Sequence, residues 1–200
     1  MSAAGTSTSK SQSENEGPRG ATFPDFDNLD LAGKLEAMRG LGARAQAALF
    51  EACAPNEPVA IADLLPATPR PGVTYIWEGV NSLPAFRRFQ KRFTRTDEEG
   101  RLAGYNHQGL MWLVGPGCFV AHAAGKGAPG AVVIDYTMTP GGQPAGWPRV
   151  VPAGKGLSRF VYGGMHDYMR RVTKDVLIGW AWKHGKPTGN YFLLARGGEA

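Results

Sequence analysis

Residues 176–195 read Val176-Leu177-Ile178-Gly179-Trp180-Ala181-Trp182-Lys183-His184-Gly185-Lys186-Pro187-Thr188-Gly189-Asn190-Tyr191-Phe192-Leu193-Leu194-Ala195. Two runs rich in β-branched, aliphatic and aromatic residues, 176–183 and 191–195, flank Gly185-Lys186-Pro187, whose residue types favour turns. The same texture extends back to Gly104. The runs 110–114, 118–123, 131–137 and 157–161 are separated by Gly115-Pro116-Gly117, by 125–130, by 140–142 and by Gly163-Gly164. These gaps are mostly too short for the crossover helices of a parallel sheet. An antiparallel meander curling into a barrel fits the spacing, because closure leaves no exposed strand edge.

Upstream the pattern is helical. Leu31, Leu35, Met38, Leu41, Ala45, Leu49 and Cys53 recur at three- and four-residue steps and predict one helix over 31–54. Asn28 or Asp30 would cap it, and Pro55 and Pro58 would end it. Gly33, Gly40 and Gly42 weaken it, each by up to roughly 1 kcal/mol relative to Ala, so packing must hold it. A second helix is predicted over 83–94, with Ser82 as cap and Pro84 in its first turn. Phe86, Phe89 and Phe93 would share one face, with Arg87, Arg88, Lys91, Arg92 and Arg95 on the others. Residues 1–26 are mostly Ser, Thr, Gly, Gln and Glu and read as a disordered tail whose end, Phe23 and Phe26, docks on the domain. The organisation expected is therefore tail 1–26, helix and linker 27–58, and a barrel domain over 59–200 with one amphipathic helix.

Composition bounds the function. The chain has 200 residues, 42% hydrophobic and 20% charged, a soluble globular balance rather than that of a disordered chain. Its 28 glycines and 15 prolines argue against a helical bundle. No apolar run approaches the ~18–20 residues of a membrane span, and no secretory signal opens the chain. A cytoplasmic protein is expected. Cys53 and Cys118 lie far apart and read as reduced thiols. The four histidines are scattered, so no metal is expected. A net charge of +5 bears on solubility before it bears on function.

The Gly125-Lys126-Gly127 and Gly154-Lys155-Gly156 triplets lack the upstream glycine and the following Ser or Thr of a P-loop and read as hairpin loops. The basic helix could contact a phosphate or nucleic acid, but an amphipathic helix with its Phe face against the sheet and its arginines solvated is the preferred reading, and nucleic acid is not favoured. His166-Asp167 could form an acid–base pair. Adjacent strand residues face opposite ways, so only one of them can point into a barrel, and Asp167 is the better interior candidate. Glu78, His122 and Asp135 are polar groups set in apolar runs. A carboxylate facing a dry cavity would be a proton donor, whereas one on an outer face meets water. Trp180 and Trp182 alternate on one strand face and, with Trp77 and Trp112, could wall a pocket for a hydrophobic ligand or fill a core.

The series Leu49-Phe50, Trp77-Glu78-Gly79, Lys91-Arg92-Phe93, Tyr162, Asp167-Tyr168-Met169-Arg170-Arg171-Val172, Asp175-Val176-Leu177-Ile178-Gly179 and Tyr191 to Arg196 resembles the bacterial and fungal proteins named for a Gly-x-Trp-x-Gly motif, which carry a C-terminal domain of unknown function. Tyr75 stands where that motif has its first glycine. The resemblance spans about residues 50–196 and implies a lipocalin-like barrel. It makes Trp77, Gly79, Lys91, Arg92, Phe93, Asp167, Arg170 and Gly179 natural positions to test. Such barrels bind small apolar molecules, and some in microbial biosynthesis isomerise or cyclise them without a cofactor. Fold alone does not fix function.

The fold expected is thus α+β, mainly antiparallel β, with a lipocalin-like barrel preceded by an N-terminal helix. The function expected is binding of a small hydrophobic metabolite, with cofactor-independent isomerase, cyclase or lyase chemistry. The alternatives are a non-catalytic carrier and a nucleic-acid-binding protein using 87–95. Asp167, His166, Glu78 and Tyr162 are the candidate catalytic groups. Trp77, Trp112, Trp180, Trp182, Phe93 and Arg92 are the candidate ligand contacts. A homodimer is compatible with the sequence.

Overall fold

A computed structural model describes residues 15–16, 22–54, 56–83, 87–109, 111, 115–141, 144–150 and 158–200. Eight antiparallel strands close into a barrel in chain order. They are β1 (Tyr75–Asn81), β2 (Arg88–Arg95), β3 (Arg101–His107), β4 (Cys118–Ala123), β5 (Val132–Asp135), β6 (Met165–Thr173), β7 (Val176–Lys183) and β8 (Lys186–Glu199). β8 pairs with both β7 and β1, so the last strand seals the sheet against the first. The fold is α+β, with a lipocalin-like barrel. The β7–β8 connection is the two-residue turn His184-Gly185, both at left-handed φ (51° and 74°), which suits the twist of a tight hairpin.

Strand alternation sorts the side chains. Tyr75, Trp77, Phe93, Leu102, Phe119, Ile134, Leu177 and Leu194 pack inside the barrel. Val80, Val176, Ile178, Tyr191, Leu193 and Ala195 face outward and are buried under the N-terminal helices. β7 and β8 are therefore apolar on both faces. Arg170 ties this layer down, donating to Phe50 O (2.6 Å) at the end of the second helix and to Pro129 O (2.7 Å). A cation there also complements the helix dipole.

One end of the barrel is shut. The turn Ile61–Leu64 lies across it, with Val59, Leu64 and Leu65 joining the interior core. Trp77 Nε1 donates to Leu64 O (2.9 Å), and Arg196 donates to Asp63 O (2.6 Å) and Leu65 O (3.3 Å) while covering the Trp77 ring. Arg171 adds an ion pair to Asp63.

Several sequence expectations are corrected. The single helix over 31–54 is two, α1 (Leu31–Gly40) and α2 (Ala43–Ala52), because Leu41 and Gly42 adopt extended backbone between them. Gly40 and Gly42 are the weak point. Asp30, not Asn28, caps α1, accepting from Gly33 N (2.8 Å). The helix predicted over 83–94 is in its described part strand β2, since barrel closure needs a strand between β1 and β3. Phe89 and Phe93 share a face at either period, so the four-residue spacing did not discriminate. Residues 158–161 belong to a short helix, α3 (Ser158–Tyr162), instead of a strand. The run 110–114 lies almost entirely outside the described residues. In the tail, Asn15–Glu16 pairs with Thr22–Phe23, and Phe23 and Phe26 are buried against the helical layer.

Candidate functional site

Three inward positions are glycines, and each is filled by an aromatic ring from the neighbouring strand. Gly79 pairs with Phe89, Gly104 with Phe119, and Gly179 with Phe192. A Cβ at these glycines would stand 2.6, 2.1 and 2.1 Å from the respective rings. Rings lying over cross-strand glycines in this way replace the missing side chain and bend the sheet. They also wall a chamber. Phe89, Phe119, Phe192 and Tyr136 surround Lys91 Nζ with ring centroids 5.6, 5.1, 4.9 and 5.1 Å away. The cage is thus written in glycine–phenylalanine pairs.

Lys91 is 1% exposed and Asp167 is 3% exposed. The ammonium donates to Asp167 Oδ2 (2.9 Å), Asn106 Oδ1 (3.1 Å) and Tyr136 Oη (2.5 Å), which uses all three of its protons. Tyr136 Oη also accepts from Asn106 Nδ2 (2.9 Å) and donates a hydrogen bond to Asp167 Oδ2 (3.1 Å). Tyr162 stacks on Tyr136 (5.2 Å, 17°), and its hydroxyl accepts from Gln108 Nε2 (3.0 Å). Burial draws the Lys91 amine below its ordinary value, and the Asp167 carboxylate opposes that shift without cancelling it. Burial raises the Tyr136 phenol well above its ordinary value, and that of Tyr162 to about 12. Both phenols therefore stay protonated donors through the neutral range.

This cluster forms the floor of a cavity of about 260 Å³. Phe89, Met165 and Phe192 wall it, and the half-exposed Leu83 and Val161 stand at its rim. Ala181, opposite Asp167 across the β6–β7 ladder, leaves the space open. At about 30 Å³ per water, the volume equals roughly nine waters, or a molecule of about that many heavy atoms and a few more. Hollows of about 390 and 590 Å³ flank the exposed charged turn at residues 95–101 on the outside of the barrel, the first closed off by residues 138–141 and 144 and the second by residues 61–69.

The sequence candidates distribute unevenly. Asp167 and Tyr162 line the cavity. His166 faces outward, with Nε2 3.4 Å from Asp135 Oδ1, and His122 Nε2 lies 3.7 Å from Asp135 Oδ2. Glu78 is also outward, accepting from Gln90 Nε2 (2.8 Å). Arg92 packs outside on Tyr105, its Nη1 donating to Tyr105 Oη (3.0 Å). Trp77 and Phe93 point inward but belong to the packed end and do not line the cavity. Trp180 and Trp182 are on the outer face: Trp180 stacks on Tyr191 and meets Phe50 edge-on, and Trp182 meets Tyr168. β7 is apolar on both faces, so periodicity could pair these tryptophans but not choose their side. Trp112 lies outside the described residues.

Tyr136 and Asn106 were not among the site candidates, and Lys91 entered only as a position to test through the Gly-x-Trp-x-Gly resemblance, with no catalytic or ligand-binding role. Lys91 sits between Phe89 and Phe93 on one strand face, a signal hidden by the helical reading. In Ile134-Asp135-Tyr136 the conspicuous carboxylate is the outward residue, and the phenol is the inward one. Among the described residues no group of three or more His, Cys, Asp or Glu could hold a metal ion, and no helix is long and apolar enough to cross a membrane.

Comparison with protein-family models, with curated proteins and with solved structures finds no match to this chain.

Proposed function

We propose that the barrel takes up a small, largely apolar molecule at its open end and exchanges a proton with it through Lys91, Asp167 and Tyr136. The chain would then be an isomerase, cyclase or lyase whose reaction proton movement alone can drive. The observation that carries this reading is a buried ion pair, its ammonium committing all three protons, at the floor of an apolar cavity. Breaking such a pair is costly, yet replacing it by apolar residues is often neutral or stabilising, so stability alone is a weak reason to have it. A lysine and an acid that can trade a proton, flanked by phenols that stay protonated, form a general acid–base set. Held in a dry site, they would act on developing charge with little reorganisation. The Gly-x-Trp-x-Gly resemblance is part of the same proposal, since Lys91 and Asp167 are among the positions it singles out.

The test begins with native mass spectrometry of the purified protein and a thermal-shift panel of apolar molecules of about ten heavy atoms. A binder should raise the melting temperature of the wild type and lose its effect in Ala181→Phe, which fills the cavity. The bound molecule should then take up deuterium from D₂O, and lose that exchange in Lys91→Met. Binding that ignores Ala181→Phe would place the site elsewhere. Cavity binding with neither exchange nor product would make the protein a carrier.

A further inference from the structure

Lys91 is the one buried lysine among the described residues, and it is also a cavity-lining group. Its charge is already balanced by Asp167 at 2.9 Å. An anionic ligand would bring a second negative charge against Asp167 in the same dry space, and a cationic one would confront Lys91. The polar end of the ligand is therefore neutral. Tyr162 accepts from Gln108 (3.0 Å), which leaves its own proton to be donated, and this suits a ligand oxygen. A primary amine, a proton acceptor and a phenolic donor in one apolar chamber form the equipment for carbonyl chemistry.

Resting on the cavity-binding reading above, we propose that the ligand is a small aldehyde or ketone and that Lys91 Nζ forms an imine with its carbonyl carbon. The ammonium passes a proton to Asp167 Oδ2, and the freed lone pair forms the N–C bond as the carbonyl π pair moves to oxygen. A second nitrogen proton, relayed through Tyr136, neutralises that oxygen to give the carbinolamine. Asp167 then returns its proton to the hydroxyl, water leaves, and the nitrogen lone pair closes the C=N bond. Ammonium plus carbonyl becomes iminium plus water, and the carboxylate is regenerated beside the cation. No oxidant or reductant is needed. The rings of Phe89, Phe119, Phe192 and Tyr136, which surround the ammonium at 4.9 to 5.6 Å, would surround the iminium equally. Exclusion of water by the same walls would slow its hydrolysis. Desolvation, which lowers the basicity of Lys91, supplies free amine more readily than a surface lysine would.

Cuminaldehyde, with an apolar body that suits the cavity, serves as the probe, and sodium cyanoborohydride traps the imine in the intact protein. The expected product carries a mass gain of the aldehyde less one oxygen atom. Peptide mapping should place it on Lys91, at a rate at least about tenfold above any surface lysine at neutral pH. Lys91→Met should abolish that adduct. Lys91→Met/Asp167→Leu should abolish it too and leaves no uncompensated buried charge, so it serves where the single variant fails to fold. Cuminyl alcohol, which cannot form an imine, separates the two readings. If the alcohol raises the melting temperature but the aldehyde leaves Lys91 unlabelled, the imine is refuted and cavity binding stands. Labelling of Lys91 no faster than surface lysines refutes the imine as well. If the alcohol shows no effect and no adduct forms, the imine falls and cavity binding loses its support with this class of molecule.

Discussion

At the shut end of the barrel, Trp77, Phe93 and Leu177 are buried together in one apolar cluster beneath the 61–64 turn. Two residues further along the same strands stand Gly79, Lys91 and Gly179, and there the interior opens into the cavity. Between these two layers the pairing and the alternation do not change. What changes is side-chain volume and charge. The packed end holds large apolar groups in contact with one another. The open end uses glycine under phenylalanine to draw rings back to the wall, and it spends the freed room on an ion pair. One half of the interior can therefore hold the barrel together while the other is free to bind.

The sharpest way to break this division is Trp77→Ala. Loss of a buried Trp at the packed end should cost about 4 kcal/mol, read from the urea midpoint, while the folded fraction keeps its ligand affinity. Loss of affinity in parallel would show that the two ends are coupled. Lys91→Met should cost about 3 kcal/mol, because it leaves the Asp167 carboxylate buried without its partner. Lys91→Met/Asp167→Leu should recover most of that loss in the same denaturation series, although no ligand chemistry returns. Gly104→Ala should cost about 2 kcal/mol, since a Cβ there meets the Phe119 ring at 2.1 Å and Arg92 O at 2.7 Å. It should also displace Phe119 from Lys91, visible as a changed Lys91 side-chain NMR signal. Trp180→Ala, on the outer face, should weaken the α1–α2 layer and leave ligand affinity unchanged, as isothermal titration would show.

Alkaline titration should give the smallest and most diagnostic effect. Folding raises the Cys53 thiol from 9.0 to about 11 and the Tyr162 phenol from 10.0 to about 12, mainly by burial, and moves Tyr136 in the same direction. In these windows the native chain holds protons that the unfolded chain has released. Their stability contribution is complete below about pH 9 and is lost as the pH rises through about 9 to 12. Lys91 acts in the opposite sense. Between its lowered value and 10.5 the unfolded chain binds the extra proton, so stability rises with pH there. Urea midpoints should therefore fall above about pH 10.5, and phenolate absorbance should show Tyr162 ionising only near pH 12 and Tyr136 well above pH 10.

The sequence held much of the sheet. The runs 118–123 and 176–183 coincide with β4 and β7, and 131–137 contains β5. β3 was missed because Gly104 and Asn106 are poor strand formers. Their reasons for being there, a ring from β4 and the Lys91 network, are tertiary. β6 was masked by Arg170 and Arg171, which bond to backbone carbonyls of residues 50, 57, 58 and 129. At the site, alternation alone put Asp167 inside once His166 was outside. The inward direction of Lys91, a position that only the resemblance singled out, was out of reach for a different reason. A charged residue between two phenylalanines reads as the polar flank of a helix, and only the closure of the barrel turns it inward.

The strap across the far end has a kinetic corollary. With Arg171 and Arg196 clamping residues 57–65 over that opening, arrivals and departures share, among the described residues, the doorway between Leu83 and Val161. Enlarging either threshold side chain would slow loading and unloading by the same factor, lengthening the residence time of a guest while its equilibrium occupancy stays where it was.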